Sequence, residues 1–397
     1  MLRFAFHTPL KPLDHPTPSG DRAMGRALAA LLQRLGHAVL PLDSWSEDEL
    51  TAPKRAALTA ERLPAMRNAT MGRANALLRQ WRALAVGDAR RPTAWFTYHV
   101  WYKRPDWLGP AVSSALDIPY VIAEASYAPK RAGGPWDMGH RATADAVRAA
   151  DLVLTPNPDD GPCLAPLLKS PDAMVLVPPF LDAQPLRAAT ADRAHHRAAL
   201  RRRTGWPDDA PVLLAVAMMR PPDKLASYQV LAAAMAALPQ RDWRLLLVGD
   251  GEARPEIERL MAPLGERVAF VGTQLPEALP ALYAAADICV WPAVNEAYGI
   301  SLLEAQAAGL PVIAGRTRGV PAVVADGETG LLAPLGDATS FAAAIAALLD
   351  DPVRRTAMGA AAATRIARDH DLPAAARTIG DALEAMLARR AARKAAS

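Results

Sequence analysis

Glu296 and Glu304 are separated by seven residues, and Gly299 lies between them in a segment that the pattern predicts to be strand, loop and helix. A glycine at this point lets the backbone come close to a ligand. The helix is expected to begin directly after it, and the free N–H groups and dipole of a helix N-terminus favour a phosphate. The first N–H groups of this helix belong to Ile300, Ser301 and Leu302. Two carboxylates flanking a phosphate position suit a nucleotide sugar, which has a hydroxyl-rich ring at each end.

Two carboxylates on a loop and a helix are, taken alone, more often ordinary surface groups. The glycine turn, the helix start and the flanking strands favour a binding role instead. Glu304 would lie about one turn inside the helix, where a carboxylate could reach a ribose diol. Glu296 lies before the helix, where it could reach the hydroxyls of a sugar.

The elements that would position these residues repeat as strand, turn and helix, which predicts an α/β fold with parallel sheets. The predicted strands cover 2–7, 38–42, 94–100, 120–123 and 152–155, and then 212–217, 243–248, 268–271, 288–291 and 311–314. The order restarts after Pro178-Pro179 and the basic stretch 192–203, which indicates a crossing between domains.

We therefore expect two Rossmann-like domains, one over residues 1–185 and one over 186–369, facing a cleft. The helix predicted over 370–397 would pack back on the first domain. Ligands of such sheets bind at the carboxyl ends of the strands and at helix N-termini, so the loops of both domains would point into one shared groove.

Composition sets limits on the partners. The 397 residues are 51% hydrophobic and 22% charged, with a net charge of +4, which is ordinary for a globular protein. Residues 1–180 carry 21 Lys and Arg against 17 Asp and Glu, an excess too weak to predict nucleic-acid binding. Cys163 and Cys289 have no metal-ligand spacing, so we expect no metal site. A single long-range disulfide is the alternative to the reduced cytoplasmic protein that we favour.

The start of the chain lacks the apolar core of a signal peptide, and no window of 18 apolar residues occurs. Basic residues recur over 54–91, and four tryptophans follow nearby, at positions 95, 101, 107 and 136. Two interpretations stay open: a patch for an acceptor or a membrane surface, or a solvated helix beside core tryptophans. We favour the second, and expect a cytoplasmic protein with peripheral membrane contact as the alternative.

The frame from Glu296 to Ala314, EAYGISLLEAQAAGLPVIA, resembles the Glu-x7-Glu signature of the glycosyltransferase family four sugar transferases. The likeness extends to Leu246–Gly251, to Val271-Gly272, and to Leu282–Asp287, which resembles the Tyr-x-x-Ala-Asp helix end of that family. It is strong over about 190 residues on the C-terminal side and loose over the first 180.

This resemblance implies the GT-B architecture and a metal-independent, retaining transfer of a sugar from a UDP- or GDP-linked donor, with no further cofactor. Glu296 would orient the sugar, and a donor phosphate oxygen would accept the proton of the acceptor hydroxyl. The residues expected to contact the donor are Gly20, Gly249, Val271, Gly272, Tyr298, Gly299, Ile300, Ser301, Leu302 and Glu304.

Arg220 and Lys224 resemble the Arg and Lys that contact the donor diphosphate in that family. A diphosphate leaving group develops charge that must be neutralised, and two cations would do so. The spacing is one residue shorter than the usual Arg-x4-Lys, and Leu225 stands where glycine is usual. We expect a differently shaped loop.

The acceptor side departs further from the family, because Ala125 takes the place of a common histidine. We expect His99, Glu124 or Ser126 to serve instead, with a glycan or a lipid-linked acceptor. The family resemblance favours polysaccharide or glycolipid assembly. The alternatives are a non-catalytic relative that binds a nucleotide sugar or a partner subunit, and another GT-B enzyme such as an epimerase.

Overall fold

The computed structural model describes residues 1–15, 20–42 and 59–396, and it divides into two compact units. Unit 1 comprises residues 1–178 and 375–397, and unit 2 comprises residues 179–374. Each unit contains one sheet of six parallel strands. The α/β class with two Rossmann-like sheets is therefore confirmed.

In unit 1 the strand order is β2-β1-β3-β4-β5-β6. The strands are β1 Arg3–His7, β2 Ala38–Pro41, β3 Ala94–Trp101, β4 Tyr120–Ser126, β5 Leu152–Thr155 and β6 Met174–Leu176. The helices are α1 Gly20–Arg34, α2 Leu63–Arg82, α3 Leu108–Leu116, α4 Asp137–Ala149 and α5 Gly161–Leu164, with short 3₁₀ turns at Ala60–Arg62, Pro129–Arg131, Pro158–Asp160, Ala165–Leu167 and Pro171–Ala173. The central strands are apolar on both faces, as a sheet covered on both sides requires, and Phe96, Val121 and Ile122 have no exposed surface.

In unit 2 the strand order is β12-β11-β10-β7-β8-β9. The strands are β7 Val212–Val216, β8 Arg244–Val248, β9 Val268–Phe270, β10 Ile288–Trp291, β11 Val312–Gly315 and β12 Gly330–Ala333. The helices are α6 Gln184–Ala191, α7 Arg193–Thr204, α8 Asp223–Ala236, α9 Arg254–Met261, α10 Leu279–Ala285, α11 Ile300–Ala307, α12 Val320–Val323, α13 Ala338–Asp350 and α14 Pro352–Arg365, with a 3₁₀ segment at Ala262–Arg267 and a π-helix at Ile366–His370. Parallel pairing places the carboxyl ends of all six strands at one edge of this sheet.

The last helix, α15 Leu372–Ala395, begins in unit 2 and ends in unit 1. Arg390 and Arg393 donate hydrogen bonds to the buried carboxylate of Asp151, over 3.1 and 3.0 Å. Arg390 and Lys394 also contact Asp117, which follows α3. The end of the chain is thus tied by charge to the sheet of unit 1.

The basic stretch 192–203, expected to be part of a crossing, is instead the helix α7 within unit 2. Its sequence contains few apolar residues, so no helical period was visible. Arg193 and Arg197 fix it by hydrogen bonds of 2.8 Å to Asp287, the residue before β10. Ion pairing, which leaves no periodic signal in hydropathy, takes the place of an apolar face here.

The basic residues between α1 and β3 lie mainly on α2, and Lys54 lies outside the described residues. Trp95 has no exposed surface, whereas Trp101, Trp107 and Trp136 are half-buried. One of the four tryptophans is therefore a core residue, and the choice between a solvated helix and a surface patch stays a prediction. Among the helices that the structure describes, none is long and apolar enough to cross a bilayer.

Candidate functional site

The loop between β10 and α11 carries the first glutamate of the motif. Ala293, Asn295 and Gly299 all have positive φ angles, of 56°, 57° and 76°. This left-handed conformation is disfavoured for alanine, and Ala293 is fully buried. The surrounding structure therefore holds the loop in a shape that the sequence alone would avoid.

The first turns of α8 supply that support. Four of their side chains lie on one helical face and contact the loop or the last residue of β10. The contacts are Asp223 with Asn295, Lys224 with Glu296, Ser227 with Val294, and Tyr228 with Trp291. The Asn295 amide donates to Asp223 over 2.9 Å, and the Val294 N–H donates to the Ser227 hydroxyl over 2.9 Å.

Lys224 and Glu296 form a direct ion pair in which the side chains are 21% and 18% exposed. The indole N–H of Trp291 donates to the same carboxylate oxygen, Oε2 of Glu296, over 3.3 Å. The Lys224 ammonium lies 5.3 Å from the centre of the Trp291 ring. The structure thus brings together the glutamate and the lysine that the motifs predicted.

Arg220, four residues before Lys224, is exposed. Its carbonyl accepts from the Leu225 N–H over 3.1 Å, which closes the loop before α8. In the described part of the chain, no carboxylate forms an ion pair with the Arg220 guanidinium. Its charge is available to a ligand at the end of β7.

Gly299 precedes the first turn of α11 and is required there for two reasons. Its φ of 76° favours glycine, and a Cβ would lie 2.8 Å from Cγ of Leu302. The N–H of Leu302 donates to the Gly299 carbonyl over 2.9 Å, so the expectation that this group is free was wrong. The first turn is tighter than an ideal α-helix, and only the N–H groups of Ile300 and Ser301 remain without an acceptor in the described residues.

Glu304 lies one turn further along α11 and is half-buried. The hydroxyl of Tyr283, a fully buried residue of α10, donates to its Oε2 over 2.7 Å. Burial raises the pKa of Glu304 to about 6, against which the Tyr283 hydrogen bond acts. Burial and the neighbouring Glu304 also raise the pKa of the Cys289 thiol to about 12. Cys163 and Cys289 are both free thiols.

The remaining motif residues of unit 2 lie at the ends of neighbouring strands of the same sheet. Gly249 follows β8, and its N–H donates over 2.9 Å to the carbonyl of Gly272, which follows β9. A Cβ on Gly249 would lie 1.9 Å from the Ala217 carbonyl oxygen, so only glycine fits. The carbonyl of Val271 accepts from the Gln274 side chain over 2.6 Å. Tyr298 is half-buried, and its ring lies against Gly319, where a Cβ would come within 2.5 Å.

A second cluster lies in unit 1. His99 and Glu124 are opposite one another on β3 and β4, between the paired positions of the register, and both have φ of 62°. Nδ1 of His99 lies 3.0 Å from Oδ1 of Asp21 and 3.9 Å from Oε1 of Glu124. Burial acts to lower the pKa of His99, but the carboxylates of Glu124 and Asp21 outweigh it and raise the pKa.

Gly20 is the exposed first residue of α1, next to Asp21. Pro18 and Ser19 lie outside the described residues. Ser126 ends β4 opposite Trp101 and is half-buried, while Ala125 is buried. Of the three acceptor-side candidates, His99 and Glu124 thus lie side by side in the unit 1 cluster.

Sequence reasoning missed Asp21, Asp160, Trp291 and Tyr283. Burial, together with the charges of Glu124 and Asp159, raises the pKa of Asp160 to about 6. The acid at the start of α1 was a visible signal for Asp21. Over residues 1–15, 20–42 and 59–396, no group of three or more His, Cys, Asp or Glu side chains is arranged to hold a metal.

Residues 210–351 match the family model described as glycosyl transferases group 1. The D-inositol 3-phosphate glycosyltransferase of Corynebacterium efficiens is 41% identical over 199 residues, which is 48% of this chain and 46% of that protein. The enzyme of the same name from Acidothermus cellulolyticus is 31% identical over 68% of this chain and 64% of its own length. The chain thus spans about half the length of the first of these relatives.

Solved structures share the fold at lower identity. Sucrose-phosphate synthase from Thermosynechococcus elongatus has a TM-score of 0.71 at 24% identity, covering 98% of this chain and 100% of that one. Anabaena HepE in complex with UDP-glucose has a TM-score of 0.70 at 18% identity, covering 97% and 100%. Both sheets of this chain therefore have counterparts in GT-B proteins.

Proposed function

We propose that this chain, which is related to the glycosyl transferases of group 1, is a retaining glycosyltransferase that uses a nucleotide diphosphate sugar. The observation that carries the proposal is the contact between Lys224 and Glu296 immediately before the N-terminus of α11. A cation, a carboxylate and the free N–H groups of Ile300 and Ser301 occupy one edge of one sheet. They match a ligand that joins a diphosphate to a polyhydroxylated ring.

In this proposal Lys224 and Arg220 neutralise the diphosphate as the bond to the sugar breaks, assisted by the helix N-terminus. The two cations would allow the reaction to proceed without a metal. Glu296 accepts hydrogen bonds from the sugar hydroxyls and fixes the ring. Glu304, whose carboxylate is held by the hydrogen bond from the Tyr283 hydroxyl, accepts hydrogen bonds from the ribose hydroxyls. The nucleotide end of the ligand then lies along the turns of Gly249 and Gly272.

The bond between the anomeric carbon and the phosphate oxygen breaks, and the acceptor oxygen bonds to that carbon on the same face. The proton of the acceptor hydroxyl passes to a phosphate oxygen of the leaving nucleoside diphosphate. Retention of configuration follows from attack on the face that the diphosphate leaves. His99 and Glu124 of unit 1 are the proposed acceptor-side groups, and peripheral membrane contact would be expected with a lipid-linked acceptor.

UDP- or GDP-linked sugars are the proposed donors, and the UDP and UDP-glucose bound by Anabaena HepE make UDP-glucose a sensible first choice. Two kinds of acceptor follow from the comparisons and the motifs. The names of the curated relatives suggest an inositol phosphate, and the motif family suggests a growing glycan or a glycolipid. Polysaccharide or glycolipid assembly is the role we propose for the second.

The test is release of nucleoside diphosphate from a panel of UDP-, GDP- and ADP-sugars, with each acceptor and with or without EDTA. We expect EDTA-resistant turnover of one nucleotide class and, by NMR, a product with the anomeric configuration of the donor. Binding without turnover by any acceptor would favour a non-catalytic binding protein. An inverted product would overturn the retaining mechanism, and release of an isomerised nucleotide sugar without acceptor would identify an epimerase.

A further inference from the structure

Trp291 makes two contacts that converge on the proposed sugar site. Its indole N–H donates to Oε2 of Glu296 over 3.3 Å, and the centre of its ring lies 5.3 Å from Nζ of Lys224. One side chain therefore touches both members of the ion pair. The ring attracts the ammonium through its π-electrons, while the N–H attracts the carboxylate.

Trp291 is itself held in place. It is the last residue of β10 and is only 1% exposed. The ring of Tyr228 meets it at 75° with the centroids 5.1 Å apart. The Tyr228 hydroxyl in turn donates to the Ala217 carbonyl over 2.9 Å, just after β7. The indole is thus fixed between two strand ends rather than free to follow its partners.

The fixed position of the indole matters because Lys and Glu side chains are long and rotate readily, and a partly exposed ion pair gives little order by itself. A rigid donor buried beneath them selects one arrangement of the carboxylate. In the proposed reaction, that arrangement decides where the sugar ring lies relative to the phosphate. Misplacement of a reacting group by about 1 Å is enough to lower a rate by about 100-fold.

We propose that Trp291 is a positioning residue, which orients Glu296 and Lys224 through its N–H and its ring and does not itself touch the substrate. The inference rests on the proposed function and adds a residue outside the Glu-x7-Glu frame. It predicts that removal of the indole N–H affects turnover more than donor binding, because the groups that bind the diphosphate remain.

The variant is Trp291→Phe, which keeps an aromatic ring but removes the N–H. Unit 2 provides a matched control in Trp243, which is 1% exposed and precedes β8 at the opposite edge of the sheet. Its N–H donates to the Leu238 carbonyl over 2.9 Å, and Arg267 lies 5.1 Å from its ring centre. Trp243→Phe therefore removes a comparable buried hydrogen bond beside a comparable cation, far from the proposed site.

With the donor that wild type turns over, we expect Trp291→Phe to lower kcat about tenfold and to change the donor KM less than about threefold. Trp243→Phe should leave both within about twofold of wild type, although both variants lose similar thermal stability. In a Glu296→Asp background, whose shorter carboxylate cannot reach the indole, Trp291→Phe should cost less than about twofold, because the two residues act as one unit.

Equal kcat values for the two Phe variants, or a full tenfold loss in the Glu296→Asp background, would overturn the positioning role while the transferase activity of wild type stood. A wild type without turnover would overturn the proposed function and this role with it. If Trp291→Phe does not fold, the indole N–H resonances of the nine tryptophans provide a second test. One of them should shift in Glu296→Gln; a spectrum without any shifted indole resonance would overturn the contact.

Discussion

The strand ends of unit 2 and those of unit 1 both gather charged side chains, but they balance the charges differently. In unit 2, Lys224 and Glu296 neutralise one another and share Trp291. In unit 1, His99 lies beside the carboxylates of Asp21 and Glu124. One cluster is an ion pair with a fixed partner. The other is a histidine whose charge depends on its acidic neighbours.

The backbone differs in a related way. At the unit 2 cluster the residues with positive φ, Ala293 and Asn295, lie in the loop beside Glu296 and do not themselves carry the proposed chemistry. At the unit 1 cluster the residues with positive φ are His99 and Glu124, the candidates themselves. Strain stored at a residue that holds a charged side chain is a common feature of functional sites. The comparison predicts that charge changes in the unit 2 cluster have the larger effect on turnover, and that charge changes in the unit 1 cluster have effects that depend on pH.

The largest effect should follow from breaking the ion pair. Glu296→Gln is expected to lower kcat/KM by about 100-fold or more, because the amide leaves Lys224 without its counter-charge and weakens the acceptor for sugar hydroxyls. Glu328→Gln, at an exposed carboxylate of the same unit, is the control. Near-normal turnover by Glu296→Gln would show that the unit 2 cluster does not supply the larger electrostatic effect on turnover.

A smaller loss should come from the helix start. Gly299→Ala brings a Cβ to 2.8 Å from Leu302 and 3.4 Å from Cγ of Glu296, in addition to the strain of its positive φ. We expect donor affinity, measured by calorimetry, to fall about tenfold, since the loop and the first N–H groups must shift. Gly336→Ala carries the same backbone strain at φ of 77° with no atom within 4 Å of the new Cβ. Equal donor affinity in the two variants would show that the turn at Gly299 is not part of the donor-binding site.

The unit 1 cluster predicts a pH-dependent loss of stability and a change of a few-fold in the KM for the acceptor. Glu124→Gln removes a charge that raises the pKa of His99, so this pKa should fall, while Asp21 continues to raise it. Because a raised histidine pKa stabilises the fold below about pH 6.5 and the gain is lost as pH rises through the folded value, the variant should lose more stability at pH 6 than at pH 9. The measurements are the His99 titration by NMR and urea unfolding at both pH values.

Asp172→Asn, an exposed carboxylate of unit 1, provides the same change of charge for comparison. We expect the KM for the acceptor to rise about threefold in Glu124→Gln alone, with donor hydrolysis unchanged. A loss of donor hydrolysis instead would show that Glu124 acts on the donor, and would contradict the assignment of donor groups to unit 2 and acceptor groups to unit 1.

The smallest effect concerns Glu304, which binds its proton more tightly in the fold than in the unfolded chain, with a pKa of about 6 against 4.5. Stability is therefore lost as pH rises through this window, by about 1 kcal/mol for a half-buried group. Glu304→Gln should be more stable than wild type at pH 8 by about that amount and equal to it below pH 4.5, by urea unfolding. Glu277→Gln, at an exposed site, should show no such difference.

Much of unit 2 was predictable because its signals are local in sequence. The strand of residues 288–291, the glycine turn and the start of α11 follow one another directly, and β10 and β5 match their predicted bounds. The contact of Lys224 with Glu296 was not predictable from spacing. It requires α8, which follows β7, to lie against the end of β10, which neighbours β7 in the sheet but is the third strand after it in the chain. The tight first turn that engages the Leu302 N–H depends on the conformation of the loop as well as on Gly299, so the glycine alone did not predict it.

Unit 1 resisted prediction for a different reason. His99 and Glu124 meet because β3 and β4 pair in one register, and a shift of one residue would separate them. Asp21 joins them from a helix elsewhere in the sequence. The edge strands β6 and β12 were not predicted, and α7 was missed because its contacts are ionic.

The division of the chain into units has a consequence for the order of events during synthesis. Amino-terminal domains usually fold first as they leave the ribosome. Here unit 1 includes residues 375–397, so the unit that emerges first is completed last. Lys169, 2.8 Å from Asp151, is present from the start, whereas Arg390 and Arg393 reach that carboxylate only after all of unit 2 has been translated.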